Sequence, residues 1–501
     1  MNSFLILIRG RIEKCIEARN VKKTFYLTTP IFYPNAKLHL GHAYTMTLGD
    51  VLARYHRHTG KKVYFLAGSD ENTQKMVDAA AKTGVEPMIF LNGIVRNFMK
   101  LYASLDISYD QFIRTSDAKV HWPGAQTLWK KMFAAGDLYK KEYEGLYCVD
   151  HEAFITEKDL VDGKCPDHGT EPEHLREENY FFRLSRYTDV LKEKIESGDV
   201  HIVPQSRKKE ILSFISGGLE DVSFSRPRRR GWPEGLGVPV PGDDSHIMYV
   251  WCDALANYIT ALGFGRDDSL FQKFWPADVH IIGKDILRFH ALIWPAMLIS
   301  AGLPLPKALF VHGFITSGGK KMSKTLGNII DPEELIETYG ADAVRYFLLR
   351  HISPFEDGDI THEGFKDAYT AHLTNGLGNL VARVMQMATM HLEGPVEITQ
   401  KTQSDTDVAT HLEAFEFNRA MDSMWERIGH NDALIAIKKP FAGAKSDEAT
   451  VRDEALLIIK KLVRELNAIA IDLEPFMPST SAKIKEAVLT HKKPDNLFPR
   501  L

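Results

Sequence analysis

The sequence predicts an α/β protein in which a parallel-sheet nucleotide-binding domain, interrupted by a small metal-bound insert, is followed by an α-helical bundle. Three observations carry this. Runs of β-prone residues alternate with helical stretches from about Lys22 to Leu305, His39-Leu40-Gly41-His42 opens a helix straight after one such run, and beyond Phe365 the pattern becomes helical. At 501 residues, 44% hydrophobic and 26% charged, the chain can bury sizeable cores and is expected to form roughly two to four domains.

The first motif has a readable setting. Thr24 to Thr29 is β-prone, Pro30 to Leu38 is turn-rich, and His42 to His58 carries apolar residues at helical spacing. That puts the motif at the carboxyl edge of a parallel sheet, where helix N–H groups and the helix dipole favour phosphate. Gly41 leaves room for an adenine ring against the backbone, while His39 and His42 can donate to phosphate oxygens. A plain helix start with incidental histidines is the alternative for the motif alone.

A second motif lies far downstream. Lys321-Met322-Ser323-Lys324-Thr325 follows Ser317-Gly318-Gly319-Lys320 and precedes Asp331-Pro332-Glu333-Glu334, which reads as a lysine-bearing flexible loop ahead of a helix start. Nucleotidyl transfer asks mainly for cations placed where negative charge builds. At ~4 Å and an effective dielectric of about 20, one ammonium is worth roughly 4 kcal/mol. Lys324 is expected in that role with Lys321 beside it, and Lys320 reads as solvated.

Composition narrows the class. A formal net charge of −4 argues against a general nucleic-acid coat, so any RNA contact is local. No apolar run approaches the roughly 20 residues that span a membrane. Four cysteines in so long a chain indicate a reducing compartment. Over residues 1–21, Phe4 to Ile8 precedes Arg9, Arg11, Lys14 and Arg19, but Glu13 and Glu17 interrupt what would resemble a transit peptide. The segment is therefore expected to be a dispensable extension and the protein cytoplasmic, with organelle targeting as the lesser option.

Two cysteines stand in paired knuckles. Cys148-Val149-Asp150-His151 and Cys165-Pro166-Asp167-His168 repeat one ligand spacing across a gap containing Gly163, which fits tetrahedral, structural zinc. Four protein ligands close such a shell and leave no open position for catalysis. Cys252, beside Trp251 in an apolar stretch, is expected to be a packed core thiol, and Cys15 lies in the extension.

The two motifs resemble the HIGH and KMSKS signatures of class I aminoacyl-tRNA synthetases. Thr28-Thr29-Pro30-Ile31-Phe32-Tyr33-Pro34-Asn35, Tyr249-Val250-Trp251-Cys252-Asp253-Ala254-Leu255, and Ile282-Gly283-Lys284-Asp285-Ile286 through His290 resemble, more narrowly, the methionyl-tRNA synthetases. The likeness extends from about Lys22 to Leu501. It implies a Rossmann-like catalytic domain in two halves, 22–135 and 226–305, around a connective insert with a zinc knuckle at 136–225. A segment at 306–366 would carry the lysine loop and a helical-bundle anticodon-binding domain would occupy 367–501. Family knuckles usually carry cysteine where this chain has His151.

The resemblance further implies ATP contacts at His39, Gly41, His42, Gly283, Asp285 and Lys324, with Mg²⁺ accompanying the nucleotide. It implies a methionine pocket of Ile31, Tyr33, Asp70, Trp251, Ala254, Leu255, Tyr258, Ile286 and His290, with Asp70 on the substrate ammonium. Sulfur against aromatic rings contributes about 0.3–1.5 kcal/mol, which suits a side chain with no strong hydrogen bond to offer. By spacing alone Trp251 and Tyr258, on one helix, read as core, and their place within the matched motifs reverses that. Leu255 stands where the family often has proline. Homocysteine lacks only a methyl, worth roughly 1–3 kcal/mol in such a pocket, so rejection of its adenylate by cyclisation in the same site is expected.

Val451 to Leu473 places Leu456, Ile459, Leu462, Val463, Leu466 and Ile469 on one helical face and ends at Glu474-Pro475-Phe476-Met477-Pro478, while Thr399 to Asp407 reads as a loop. By resemblance Asn379 and Arg383, four apart on one helix, and Phe441, where the family commonly has tryptophan, would meet the tRNA(Met) anticodon. An ordinary polar face with a core phenylalanine remains the alternative. Arg226 to Arg230 reads equally as a phosphate contact or a solvated turn. The implied activity is methionine activation by ATP and transfer to tRNA(Met), by a monomer. The alternatives are a class I synthetase for another apolar amino acid and a non-catalytic tRNA-binding relative.

Overall fold

The computed structural model describes residues 23–72, 74–148, 153–155, 157–166, 169–228, 235–322, 328–398 and 405–501. Six parallel strands form the central sheet: β1 (Thr24–Thr28), β2 (Lys62–Ser69), β3 (Gln111–Arg114), β4 (His201–Val203), β5 (Val279–Gly283) and β6 (Ala308–His312), in the order β3-β2-β1-β5-β6-β4. Strand alternation sends Tyr26 and Leu27 of β1 into separate cores on the two faces, both side chains fully buried. That two-sided burial is why the strand reads as an apolar run rather than an alternating one.

From β1 the chain crosses through helix α1 (Leu40–His58) to β2 on one side, whereas β5 pairs with β1 on the other, with Thr28 opposite His280. This reversal leaves a crevice at the carboxyl ends of β1 and β5, the position where open parallel sheets bind ligands.

Within the insert, Leu138–Cys148 and Glu173–Phe182 form a long antiparallel pair, flanked by Ala153–Ile155 and Val222–Ser223. The division expected at 136–225 is not clean, because β4 comes from that stretch yet pairs with β6 at the edge of the catalytic sheet. Three residues are too few to display a strand period in sequence. Helix α2 (Trp122–Ala134) leads into the insert, and α3 (Val250–Thr260) follows it.

After α4 (Ala341–Arg350), the helix His362–Ala368 runs through a π-helical stretch, Tyr369–Gly378, into α5 (Asn379–His391). Helices α6 (Phe417–Lys438), α7 (Ala449–Leu473) and α8 (Pro478–Thr490) complete the bundle. On α7 the expected face is buried from Ile459 to Ile469, with Leu456 half-buried at its start. The expected loop through Asp407 ends earlier: Asp405 accepts from the Asp407 N–H and caps a helix at Thr406–Glu413, while 399–404 lie outside the described residues.

One apolar core continues from the sheet face under α1 through α4 into the bundle. Inside it Arg345 of α4 bonds Asp50 of α1 at 2.7 Å, both side chains fully buried. Arg345 also donates to the carbonyls of Phe476 (2.7 Å), Pro475 (2.8 Å) and Leu105 (3.1 Å). Asp50 accepts in addition from Arg54 Nε and from Ser108 N and Oγ. Burial alone would push the Asp50 carboxyl up, but Arg345, Arg54 and the Ser108 donors together hold it below its ordinary value.

A carboxyl with a depressed folded-state pKa contributes stability above its unfolded pKa and loses it as the pH falls through the folded value. Arg345→Met, which removes the fully buried one of the two arginine partners of Asp50 and leaves Arg54, is expected to cost up to about 3–5 kcal/mol in denaturant unfolding at neutral pH. The difference from the parent should shrink as the pH falls below about 4. A pH-independent difference would show that the pair does not carry it.

Candidate active site

The HxGH motif builds its own helix start. His39 is the N-cap of α1: its Nδ1 accepts from the Gly41 N–H at 3.1 Å, and His42 Nδ1 accepts in return from the His39 N–H at 3.1 Å. This is a capping box made from two imidazoles rather than from a hydroxyl and a carboxylate. Each cap needs a free Nδ1 lone pair, so the hydrogen-bond network assigns both rings as neutral with the proton on Nε2. The His42 imidazole is held neutral to well below its usual 6.5 by burial and by the neighbouring His39, against a smaller opposing pull from the His39 backbone. A Cβ on Gly41 would meet His39 Cε1 at 2.9 Å, so glycine here lets the His39 ring lie over the backbone.

A cavity of about 450 Å³ opens beside this helix start, within the size range of small-molecule sites. His39, Gly41, His42, Gly283 and Asp285 line it, and so do all nine residues expected around methionine, from Ile31 to His290. Strand ends supply two of its walls: Asp70, 4% exposed, follows β2, and Gly283 closes β5. The loop after β1 is laced to the end of β2 by Phe32 N–H on Gly68 O and Asp70 N–H on Phe32 O. A Cβ on Gly68 would lie 2.7 Å from Ile31 Cγ2, so this glycine permits the close approach of Ile31.

The aromatic wall is set by α3 and by the turn after β5. Trp251 stacks on Phe289 with ring centroids 3.7 Å apart. His290, in the π-helical turn Phe289–Ile293, bonds Ile286 O through Nδ1 at 2.9 Å and the Tyr258 hydroxyl through Nε2 at 2.7 Å. Since a carbonyl only accepts, Nδ1 carries the proton and Nε2 accepts from Tyr258. Burial lowers His290 to about 4.

Sequence reasoning overlooked several residues of the cavity: Thr45, Asn257 and His312 line it, and Phe289 backs Trp251. His312 ends β6 beside Gly283, bonds Gly313 O through Nδ1 and meets the Thr45 hydroxyl at 2.9 Å through Nε2. A strand-end histidine followed by glycine was the available signal. Thr45 lies one helical turn beyond Gly41, which was another.

The base of the lysine loop is a tight hairpin rather than a flexible lead-in. Ile315–Ser317 pairs with Lys320–Lys321 around Gly318 and Gly319, whose φ values of +63° and +72° are those of a two-residue turn that favours glycine. Asp359 accepts from the Gly319 N–H at 2.8 Å and from Thr316 Oγ1 at 2.7 Å, and Lys284 bonds Asp357 at 2.7 Å. Met322 reaches the cavity wall. Lys324 lies outside the described residues, as does the Lys321 side chain. The helix beyond begins at Pro332 with Asp331 as its cap, as its sequence predicts.

Elsewhere, Cys148 ends its strand and Cys165 begins a turn in which the Gly169 N–H returns to Cys165 O at 2.7 Å; both thiols are 1% exposed. Buried thiols at hairpin ends fit the soft donor set of zinc. His151 and His168 lie outside the described residues. Cys252 is buried in the core, and burial, with Asp253, pushes its thiol well up. Asn379 is exposed at the start of α5, Arg383 pairs with Asp432 at 3.1 Å, and Phe441 is 45% exposed rather than core. Arg226 lies over the rings of Tyr249 and Tyr147 and donates to Ser223 and Ser225, so this arginine is packed, not part of a solvated run.

The fold and cavity define an α/β protein with a ligand-sized site at the carboxyl edge of its parallel sheet, beside a helix start that carries two histidines. Residues 25–174 and 167–385 match the family model of class I tRNA synthetases (M). A methionine–tRNA ligase of Caldanaerobacter subterraneus is 43% identical over 93% of this chain and 74% of its own. One from Clostridium tetani is 42% identical with the same coverage. The Mycobacterium tuberculosis methionyl-tRNA synthetase in complex with methionyl-adenylate superposes with a TM-score of 0.85 at 39% identity, over 92% of this chain and 93% of that one. Its apo form gives 0.80 at 36% identity, over 96% and 99%. The chain belongs to the class I aminoacyl-tRNA synthetases, and within them to the methionyl-tRNA synthetase family.

Because the caps and burial keep His42 neutral, lowering the pH from about 8 to 6 should not charge its ring. Adenylate formation measured in single turnovers over that range is expected to show no transition near 6.5 assignable to His42. A transition there that His42→Asn abolishes would contradict the tautomer assignment.

Proposed function

We infer that the protein activates methionine with ATP and transfers it to the 3′ end of tRNA(Met). What supports this reading is one continuous cavity lined at one end by the HxGH helix start and Gly283, and at the other by Asp70 and the α3 aromatic wall. The methionine carboxylate attacks the α-phosphorus, a P–O bond forms, and the bond to the β-phosphate bridging oxygen breaks to release pyrophosphate. The terminal ribose hydroxyl of tRNA then attacks the methionyl carbonyl and AMP departs. No side chain needs to act as a covalent nucleophile.

His39 and His42 would contribute oriented Nε2–H donors without charge, so cationic compensation falls to Lys321, Lys324 and the Mg²⁺ that accompanies ATP. Asp70 would hold the substrate ammonium, and Trp251, Tyr258 and His290 would enclose the thioether. Cys148, His151, Cys165 and His168 would hold a structural zinc that fixes the insert hairpins, remote from the chemistry. Cytoplasmic location and a monomeric state belong to the same reading.

Amino-acid-dependent ATP–pyrophosphate exchange across the twenty amino acids is the direct test. Exchange with methionine alone is expected, strong exchange with another amino acid would overturn the pocket, and none would favour a binding-only relative.

The anticodon reading has its own test. Stacking on an exposed aromatic is worth about 1–3 kcal/mol per base, so Phe441→Ala should raise the KM for tRNA(Met) about tenfold or more. Methionine-dependent exchange without tRNA should remain at the parental rate. An unchanged KM for tRNA would remove Phe441 from the contact.

A further inference from the structure

Behind the methionine pocket lies a buried polar cluster that does not line the cavity. Asp253, on the back of α3, accepts from Asn72 Nδ2 at 2.8 Å through one oxygen and meets His121 Nε2 at 2.5 Å through the other. His121, the residue before α2, reaches Thr260 Oγ1 with Nδ1 at 2.8 Å, and Asn72 also donates to Met248 O at 3.2 Å. Asp253, His121 and Thr260 are at most 1% exposed, and Asn72 is 5% exposed.

The position of Asn72 gives the cluster its meaning. Asp70, Glu71 and Asn72 are consecutive. Glu71, fully buried, is tied to the end of β3 by Arg114 Nε at 2.8 Å and by the Ser116 hydroxyl, and its N–H bonds Thr115 Oγ1. Asn72 is tied to α3. The Asp70 carboxylate is thus carried on a loop whose next two residues are anchored to different elements, one of them the helix that bears Trp251, Leu255 and Tyr258. A Cβ on Gly237 would sit 2.9 Å from Asn72 Oδ1, so the amide is also confined on its remaining side.

We propose that Asn72, Asp253 and His121 are positioning residues that fix the separation between the Asp70 carboxylate and the α3 wall, and so set the side-chain length the pocket accepts. Apolar packing could fill the same volume, but only directional bonds at short range hold two walls at a defined distance. The inference rests on the reading of this cavity as the methionine site.

The test uses the full chain with Asn72→Ser, which draws the side chain out of reach of Asp253 and leaves no bulky misfit, and with His121→Leu as an independent break at the other end. Steady-state exchange is measured with methionine, with its S-ethyl analogue and with varied ATP. Both variants are expected to raise the methionine KM about tenfold and to lower the methionine-to-analogue kcat/KM ratio about threefold or more, since small misplacements are costly. The KM for ATP should stay within about twofold. Methionine KM and selectivity unchanged in either folded variant, or methionine and ATP KM rising together, would overturn the proposal and leave a purely structural cluster. Failure of the parent protein to exchange with methionine would instead overturn the site reading itself.

Discussion

The Asp50–Arg345 pair is the constraint from which the rest of the arrangement hangs. It sits on α1, the helix that begins with the two motif histidines, and on α4, the helix beyond the lysine hairpin. Its remaining guanidinium bonds go to the turn between α7 and α8 in the bundle and to Leu105 beside β3. Three parts of the chain that are remote in sequence are therefore referred to one buried charge pair. A pair so deep is stabilising only when every lone pair and N–H is used, and here both oxygens of Asp50 have two donors each. The pair therefore links α1 directly to the bundle through the turn between α7 and α8.

The cavity is built mostly from neutral, oriented groups. Behind the lining residue Tyr258, His280 accepts from the Trp294 indole and bonds Thr28, and burial keeps its ring well below its usual pKa. His312 is lowered to about 4 by burial, against the pull of the Gly313 carbonyl. These fixed tautomers offer donors and acceptors without adding charge, so the charged side chains that line the cavity are Lys37, Asp70 and Asp285. Asp359, held low by the Gly319 N–H and then by Thr316, pins the turn of the hairpin.

Much of this was legible in the sequence, and for identifiable reasons. Strand β1 shows as a β-prone run because both its faces are covered, and α7 shows because its stripe recurs over about four turns. The cap at Asp331-Pro332 is local chemistry and reads directly. What was not legible depends on long-range register. Strand β4 is too short to carry a pattern, and the role of His312 arises only when β6 is laid beside β5. Gly318 and Gly319 read as flexibility when their use is a positive-φ turn, since composition does not separate the two. Phe441 had a core phenylalanine as its alternative reading, and only the short helix that presents it, leaving it 45% exposed, decides against that.

The same distinction bears on the side of the cavity lined by Tyr258 and His290. Tyr258 gives its proton to His290, and His290 gives its own to Ile286 O, so neither ring has a donor left to turn toward the cavity. A glutamine side chain, nearly the length of methionine, would bring a carbonyl to which neither of these two rings can donate. An unpaired buried polar group costs about 1–3 kcal/mol, whereas a thioether has little hydrogen bonding to lose. Selection at this end is therefore achieved by what the wall withholds. The pair of bonds that withholds it is set by a π-helical turn that no residue pattern in the sequence announces.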